Sequence, residues 1–205
     1  MNKTPQTSPV SLIQTKLPQT QIDDILTTLN NPDLKRASVM GGDLEWTQHL
    51  RHRNVDTASC PGNHWYQGML WYYVMRMNHW NFQYDIDSFD ADSIEYLEYG
   101  PGQHYTWHTD MIYPIKTQEV PHMGMMQPTR EEKVRKISFT LLLNDEYEGG
   151  EIQFYFPASR NKAITLPKEK GLLILFDSRV VHRVRPVKKG IRKSMVGWVV
   201  GPRWR

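Results

Sequence analysis

Residues 99–110 read YGPGQHYTWHTD, and the meaning of their last three positions, His108-Thr109-Asp110, decides how the rest of the chain is read. Side chains two apart on a β-strand point the same way. His108 and Asp110 on a strand would therefore present an imidazole nitrogen and a carboxylate oxygen to a common point. Taken alone, the pair is equally well explained as two polar residues on a strand surface. The choice between these readings rests on residues further along the chain.

Residues 171–187 read GLLILFDSRVVHRVRPV: an apolar strand, a turn at Asp177-Ser178-Arg179, then His182. By itself His182 suits a core histidine. With His108 and Asp110 it completes two imidazoles and one carboxylate on one face of a metal, leaving about three open positions on an octahedral ion, as in non-haem Fe(II) oxygenases. Zinc more often takes a closed four-ligand set. Further on, residues 186–198 read PVKKGIRKSMVGW. On a strand, Arg192 shares a face with Ser194, Val196 and Trp198. An inward arginine without an anion is expensive to bury, and its planar fork suits a carboxylate. The pattern asks for an anion that chelates the metal at one end and reaches Arg192 at the other. 2-Oxoglutarate has that length and those groups. Tyr99, on the end of the preceding strand, is placed to donate its hydroxyl to the same ligand.

The remaining sequence bounds the answer. At 205 residues with a formal net charge of +3, the chain is sized for one well-buried core, and its charge gives no reason to expect nucleic acid. No apolar run approaches a membrane span, and the first residues lack the apolar centre of a secretory signal. The single Cys60 excludes an internal disulfide and any multi-cysteine metal site. These features predict a cytoplasmic protein that does not engage membranes.

Residues 17–30 place Ile22, Ile25, Leu26 and Leu29 at helical spacing, with Thr20 as N-cap. Residues 62–80 read as a second helix, with Trp65, Met69, Tyr72 and Met75 or Met77 toward the core. From about residue 82 short β-rich runs succeed one another, beginning with FQYDI at 82–86. Gly- and Pro-containing turns separate them, the rhythm of an antiparallel sandwich or barrel. Residues 111–134 are polar, Pro-punctuated and long for a connection, and are read as a lid.

YGPGQHYTWHTD, LLLNDEYEGGEIQFYF and KGLLILFDSRVVHRVRPVKKGIRKSMVGW together resemble the Fe(II)- and 2-oxoglutarate-dependent dioxygenases of the prolyl 4-hydroxylase class. The resemblance covers residues about 95–200. It implies a mainly β chain with flanking helices, folded as a double-stranded β-helix, a distorted, cupin-like jelly roll. Residues 95–205 would form the catalytic core, and residues 1–94 would pack on it within the same domain. The resemblance implies that His108, Asp110 and His182 bind Fe(II), that Arg192 binds the distal carboxylate of 2-oxoglutarate with Tyr99 as helper, and that Trp198 lines that pocket. Some relatives carry a second oxoglutarate-binding tyrosine where this chain has Leu142; Thr140 shares a face with that position and is the substitute. Tyr105 and Trp107 would border the path of the substrate. The implied reaction consumes O2 and 2-oxoglutarate, releases succinate and CO2 and hydroxylates a C–H bond of a peptide or protein, with a peptidyl proline as target and ascorbate as reductant. The same chemistry on a free amino acid, small metabolite or nucleobase, and a non-catalytic jelly-roll binding module, are the alternatives. Nucleic-acid demethylases of this superfamily carry an Arg-x-Asn-x-Thr-x-Arg-like run after the distal histidine, where this chain reads RVRPVKKGIRKSM.

Overall fold

The computed structural model describes residues 7–29, 34–37, 51–90, 94–111, 133–157 and 162–204. In chain order the elements are β1 (Val10–Gln14), α1 (Gln19–Thr28), β2 (Lys35–Arg36), β3 (Arg53–Asn54), β4 (Asp56–Ser59), α2 (Trp65–Met77), a π-helical turn (Asn78–Phe82), β5 (Ser88–Phe89), β6 (Glu95–Tyr99), β7 (His104–His108), β8 (Val134–Leu142), β9 (Glu148–Gly149), β10 (Ile152–Tyr155), β11 (Ala163–Thr165), β12 (Leu172–Asp177), β13 (Val181–Val184), β14 (Val187–Lys189) and β15 (Arg192–Gly201).

These strands form a larger sheet in the order β1-β12-β8-β15-β6-β4-β2, with β5 also on β15, and a smaller sheet in the order β11-β10-β13-β7-β3. β9 and β14 make a separate ribbon. The architecture is a double-stranded β-helix with helices on the larger sheet.

The run LLILF in β12 shows why the larger sheet sits at the centre of the molecule. Its residues are all buried, yet they belong to two different cores. Leu173 and Leu175 pack with Ile25 of α1, with Tyr66, Leu70 and Val74 of α2, and with Ile137, Phe139 and Leu141 of β8. Leu172, Ile174 and Phe176 pack with Leu97, Tyr99, Ile152, Phe154 and Val184, between the two sheets. A strand covered on both faces has no polar alternation to show, so it appears in sequence as a continuous apolar run.

The helices correct three expectations. α1 buries Ile22 and Ile25 as its spacing predicts, but its N-cap position is Pro18, and no side chain caps it. α2 buries Tyr66, Leu70 and Val74, not the predicted stripe: Trp65, Tyr72 and Met75 are 39%, 56% and 44% exposed. Met69 and Met77 flank the buried face as partly covered residues. Because α2 is apolar nearly all round, its spacing alone does not choose which stripe meets the sheet. FQYDI is not a strand. Phe82 ends the π-helical turn, and Gln83 takes a left-handed φ of 55°. Asn78 holds that exit, accepting from the Tyr84 N–H at 2.9 Å and donating to the Tyr84 carbonyl at 2.8 Å. Among the described residues no helix is long and apolar enough to cross a membrane.

Leu70 lies at the centre of the helix-to-sheet core and is fully buried. Leu70→Ala should lower unfolding free energy by about 2–5 kcal/mol, read from a denaturant titration. A loss under about 1 kcal/mol, the size of a surface effect, would contradict this packing.

Candidate metal centre

β7 and β13 are antiparallel neighbours, and their register sets His182 directly opposite His108. The two rings lie 4.1 Å apart, centre to centre. Asp110 completes the group: its carboxylate is 3.7 Å from His108 Nε2 and 3.5 Å from His182 Nε2. The three ligand atoms all lie within 4.8 Å of one another.

Each imidazole is oriented from behind. The Nδ1 of His108 is 2.7 Å from the Thr106 carbonyl, and the Nδ1 of His182 is 3.0 Å from the Val180 carbonyl. A carbonyl oxygen only accepts, so both Nδ1 atoms carry the proton and both Nε2 lone pairs face the shared point. Burial, and after it the neighbouring His182, holds the His108 imidazole well below its ordinary value, so it is neutral and ready to ligate. Burial alone would raise the Asp110 carboxyl. The two histidines, with hydrogen bonding from Ser138 and Trp198, reverse that and keep it below the usual carboxylate range.

On sequence grounds His108 and Asp110 share one strand. In the fold, β7 ends at His108, and Asp110 is instead hooked by its backbone N–H to the Ser178 carbonyl at 3.0 Å. The ladder also shifts register between His182 and Val184, and this bulge puts Tyr105 against His108, ring on ring at 3.5 Å.

The three ligand residues open on a cavity of about 510 Å³, its mouth included, between the two sheets. Arg192, Tyr99, Thr140, Trp198 and Tyr105 of the expected set line it too, whereas Trp107 does not, and neither does Leu142, where some relatives carry a tyrosine. Leu142 is buried in the inter-sheet core. Trp107 is 39% exposed, with the Arg183 guanidinium 4.4 Å from its ring centre. Trp198 lies under the Arg135 guanidinium at 3.8 Å, and Arg135 is held by Asp90 at 2.8 Å. The expected lid falls largely on residues 112–132, outside the described residues.

Arg192 is the cavity's second charged feature. It is 1% exposed and pairs across the ladder with Tyr99, whose ring centre is 5.2 Å away. One terminal nitrogen donates to Ser194 Oγ at 2.7 Å. Among the described residues its Nε has no hydrogen-bond partner, and none of the ion pairs involves it. Burying an uncompensated cation costs several kcal/mol, so this guanidinium fits a small anion in the cavity. The second glycine of Glu-Gly-Gly makes room for the Arg192 side chain: at Gly150, with φ of 65°, a Cβ would stand 3.2 Å from Arg192 Cδ and 3.0 Å from Val187 Cγ2. The donor set on one side and the buried guanidinium, without an acidic partner among the described residues, on the other thus fit Fe(II) and 2-oxoglutarate.

Arg53 also lines the cavity, and sequence reasoning missed it. It sits on the two-residue β3 opposite Tyr105, donates to Glu95 at 3.0 Å and lies 5.2 Å from the Tyr105 ring centre. So short a strand carries no periodic pattern. The other described histidines have separate neighbours: His104 meets the Gly102 and Arg51 carbonyls, His64 meets Thr28, His52 meets the Thr106 hydroxyl, and His79 lies edge-on to Trp80. His49 and His122 lie outside the described residues. Burial pushes the Cys60 thiol up to about 12, so it stays protonated.

Known proteins resemble the chain along the same lines. A PKHD-type hydroxylase from Synechococcus sp. (strain CC9902) is 35% identical over 100 residues, 48% of this chain and 36% of that protein. A PKHD-type hydroxylase from Crocosphaera subtropica is 34% identical over 109 residues, 52% and 42% of the respective chains. The chain therefore spans less than half the length of these curated relatives. Among solved structures, a prolyl-4-hydroxylase from Pseudomonas putida aligns with a TM-score of 0.66 at 17% identity, over 96% of this chain and 94% of that one. A Trichoplax adhaerens prolyl hydroxylase, solved with a hypoxia inducible factor oxygen degradation domain peptide fragment, gives 0.67 at 18% identity, over 94% and 84%. At such low identity the two structures speak for the shared fold. The family is shown by residues 94–200, which match the 2OG-Fe(II) oxygenase superfamily and contain the whole His-Asp-His cluster: the chain belongs to that superfamily.

Proposed function

We propose that the protein is an Fe(II)- and 2-oxoglutarate-dependent dioxygenase that hydroxylates a C–H bond of a peptide or protein, with a peptidyl proline as the target. The observation that carries this reading is the meeting, in one cavity, of three oriented ligand atoms within 4.8 Å with a buried Arg192 that has no acidic partner among the described residues.

His108, Asp110 and His182 would hold the iron on one face. Both imidazoles offer Nε2 because their Nδ1 protons are committed to carbonyls. Arg192 would hold the distal carboxylate of 2-oxoglutarate, with Tyr99 and Thr140 beside it on the cavity wall. Trp198 would contribute at the Asp110 side. Tyr105, stacked on His108, would border the substrate, and Trp107, on the outer face, its approach. The bound iron and cosubstrate would supply the O2-dependent oxidant, with succinate and CO2 as coproducts and ascorbate as reductant; the protein supplies placement and exclusion of water. Residues 95–205 would be the catalytic core and residues 1–94 its packing. A peptide target is supported by the prolyl hydroxylases among the structural relatives, one of them seen with a peptide. The proposal keeps the cytoplasmic setting read from the sequence.

Purified protein supplied with Fe(II), ascorbate and 2-oxoglutarate should form succinate, and His108→Ala should abolish it; unchanged turnover in that variant would remove the metal assignment. Arg192→Met should raise the KM for 2-oxoglutarate about 10- to 100-fold, the loss of a hydrogen-bonded charge pair. Mass spectrometry across proline-rich peptides should find a gain of one oxygen atom on proline. Hydroxylation of free amino acids or nucleotides instead would redirect the substrate class.

The histidine also sets a pH dependence for the metal-free protein. His108 is depressed in the fold, while the unfolded imidazole titrates near pH ~6.5. Below that value the unfolded chain binds more protons, so the stability His108 contributes is complete above about 6.5 and declines as the pH falls. The thermal midpoint should drop on acidification below neutrality, and His108→Gln should flatten the slope. A wild-type curve as flat as the variant's would refute it.

A further inference from the structure

The turn joining β12 to β13, residues 177–180, touches two of the three candidate ligands. Its Ser178 carbonyl accepts the Asp110 N–H at 3.0 Å. Its Val180 carbonyl accepts the His182 Nδ1 proton at 3.0 Å. Whatever fixes this turn therefore fixes the direction of one carboxylate and one imidazole.

Ser178 is tied to β8, its N–H donating to the Lys136 carbonyl at 3.1 Å and its Oγ lying 2.9 Å from Ser138 Oγ, and the rest of the turn is fixed from outside the cavity. Asp177 is 5% exposed, and its carboxylate is surrounded by donors. The Tyr84 hydroxyl donates to it at 2.6 Å, the Arg179 backbone N–H at 2.8 Å and Arg179 Nε at 2.9 Å. Nη2 of Arg179 donates as well. The Asp177 carbonyl also accepts the Val180 N–H, at 2.9 Å, closing the turn on itself. Each outer partner is itself braced. The Tyr84 backbone is gripped on both sides by Asn78. The Arg179 guanidinium lies 3.8 Å from the centre of the Trp204 ring, on which Tyr84 packs edge-on at 4.7 Å. None of Asp177, Tyr84, Arg179 and Trp204 lines the cavity, so their effect on the ligand cluster runs through the turn.

We propose that Asp177 is a positioning residue for the metal: held by Tyr84 and Arg179, its carboxylate locks the turn whose carbonyls aim Asp110 and His182. This rests on the metal-site reading above. The competing view makes Asp177 a staple for the strand connection that matters to stability alone. The two differ in what happens to metal affinity. Groups that orient ligands from behind typically change it 10- to 100-fold when removed, whereas a purely structural staple leaves the folded protein's affinity intact.

The test uses the full chain with Mn(II) or Co(II) as probe, in the absence of substrate. Asp177→Asn keeps the size and removes the charge. Tyr84→Phe removes one donor and nothing else. Asp177→Asn should weaken Mn(II) binding about 10- to 100-fold and change the visible spectrum of the Co(II) protein. Tyr84→Phe should shift both in the same direction by less. The Asp110 amide should exchange with solvent faster in both. Leu70→Ala serves as the control, since it destabilises the fold from the helix side and should leave Mn(II) affinity at the wild-type value. Lowered thermal midpoints with wild-type affinity and an unchanged Co(II) spectrum in both turn variants would overturn the proposal. If Asp177→Asn does not fold, Tyr84→Phe decides alone. Wild-type protein that binds neither ion would instead overturn the metal-site reading, a different failure.

Discussion

The pairing of β7 with β13 is the constraint on which the site depends. It brings together two histidines that are far apart in sequence as direct cross-strand neighbours. Because side chains on a strand alternate, a slip of one residue would turn His182 away from the cavity. The register is held by what lies on either side. Phe154, fully buried, sits opposite His182 on the other flank of β13, and its ring stacks near that imidazole at 5.8 Å. Apolar packing between the sheets thus does the aligning, and the polar ligands ride on it. A metal centre built this way needs little local sequence support: the ligands require only a rigid frame and an acceptor for each outer imidazole proton.

Charge is arranged with equal economy. The described cavity wall carries two guanidiniums, Arg192 and Arg53, and the Asp110 carboxylate, besides two imidazoles. Arg53 is answered by Glu95. Arg192 is not answered by any acidic side chain among the described residues; it has the Ser194 hydroxyl and the Tyr99 ring beside it, and an anion would complete its charge balance. The buried guanidinium and the depressed imidazole are two sides of one design. Burial disfavours charge on the imidazole, and in the proposed function an anionic cosubstrate would match the guanidinium.

Much of the site was legible in the chain before folding. His108, Asp110, His182 and Arg192 stand out only jointly: each alone suits a strand surface or a core, and together, in order, they match one chemistry. Arg53 was not legible, since β3 is too short to show a period. The face of α2 was not legible either. Trp65, Tyr72 and Met75 carry as much apolar surface as Tyr66, Leu70 and Val74, and the choice was made by the shape of the sheet beneath. Trp107, expected to border the path of the substrate, directly precedes His108 on β7 and therefore points to the opposite face, against Arg183 and Tyr155.

The amino-acid sequence on its own determined an antiparallel sandwich or barrel, through the run of short apolar strands between glycine and proline turns, and it supplied side chains of the types that can ligate a metal; the double-stranded β-helix and the assignment of His108, Asp110 and His182 to iron entered through the resemblance. The tertiary structure alone decided the convergence. That Asp110 leaves the strand and hangs from Ser178, and that Tyr84 ties down Asp177 from outside, are contacts between segments remote in sequence, which join the local bonds between Val180 and His182 and between Arg179 and Asp177. Hydrogen bonds of this kind depend on distances of a few tenths of an ångström, and no local pattern of residue types encodes a distance between strands that have yet to meet.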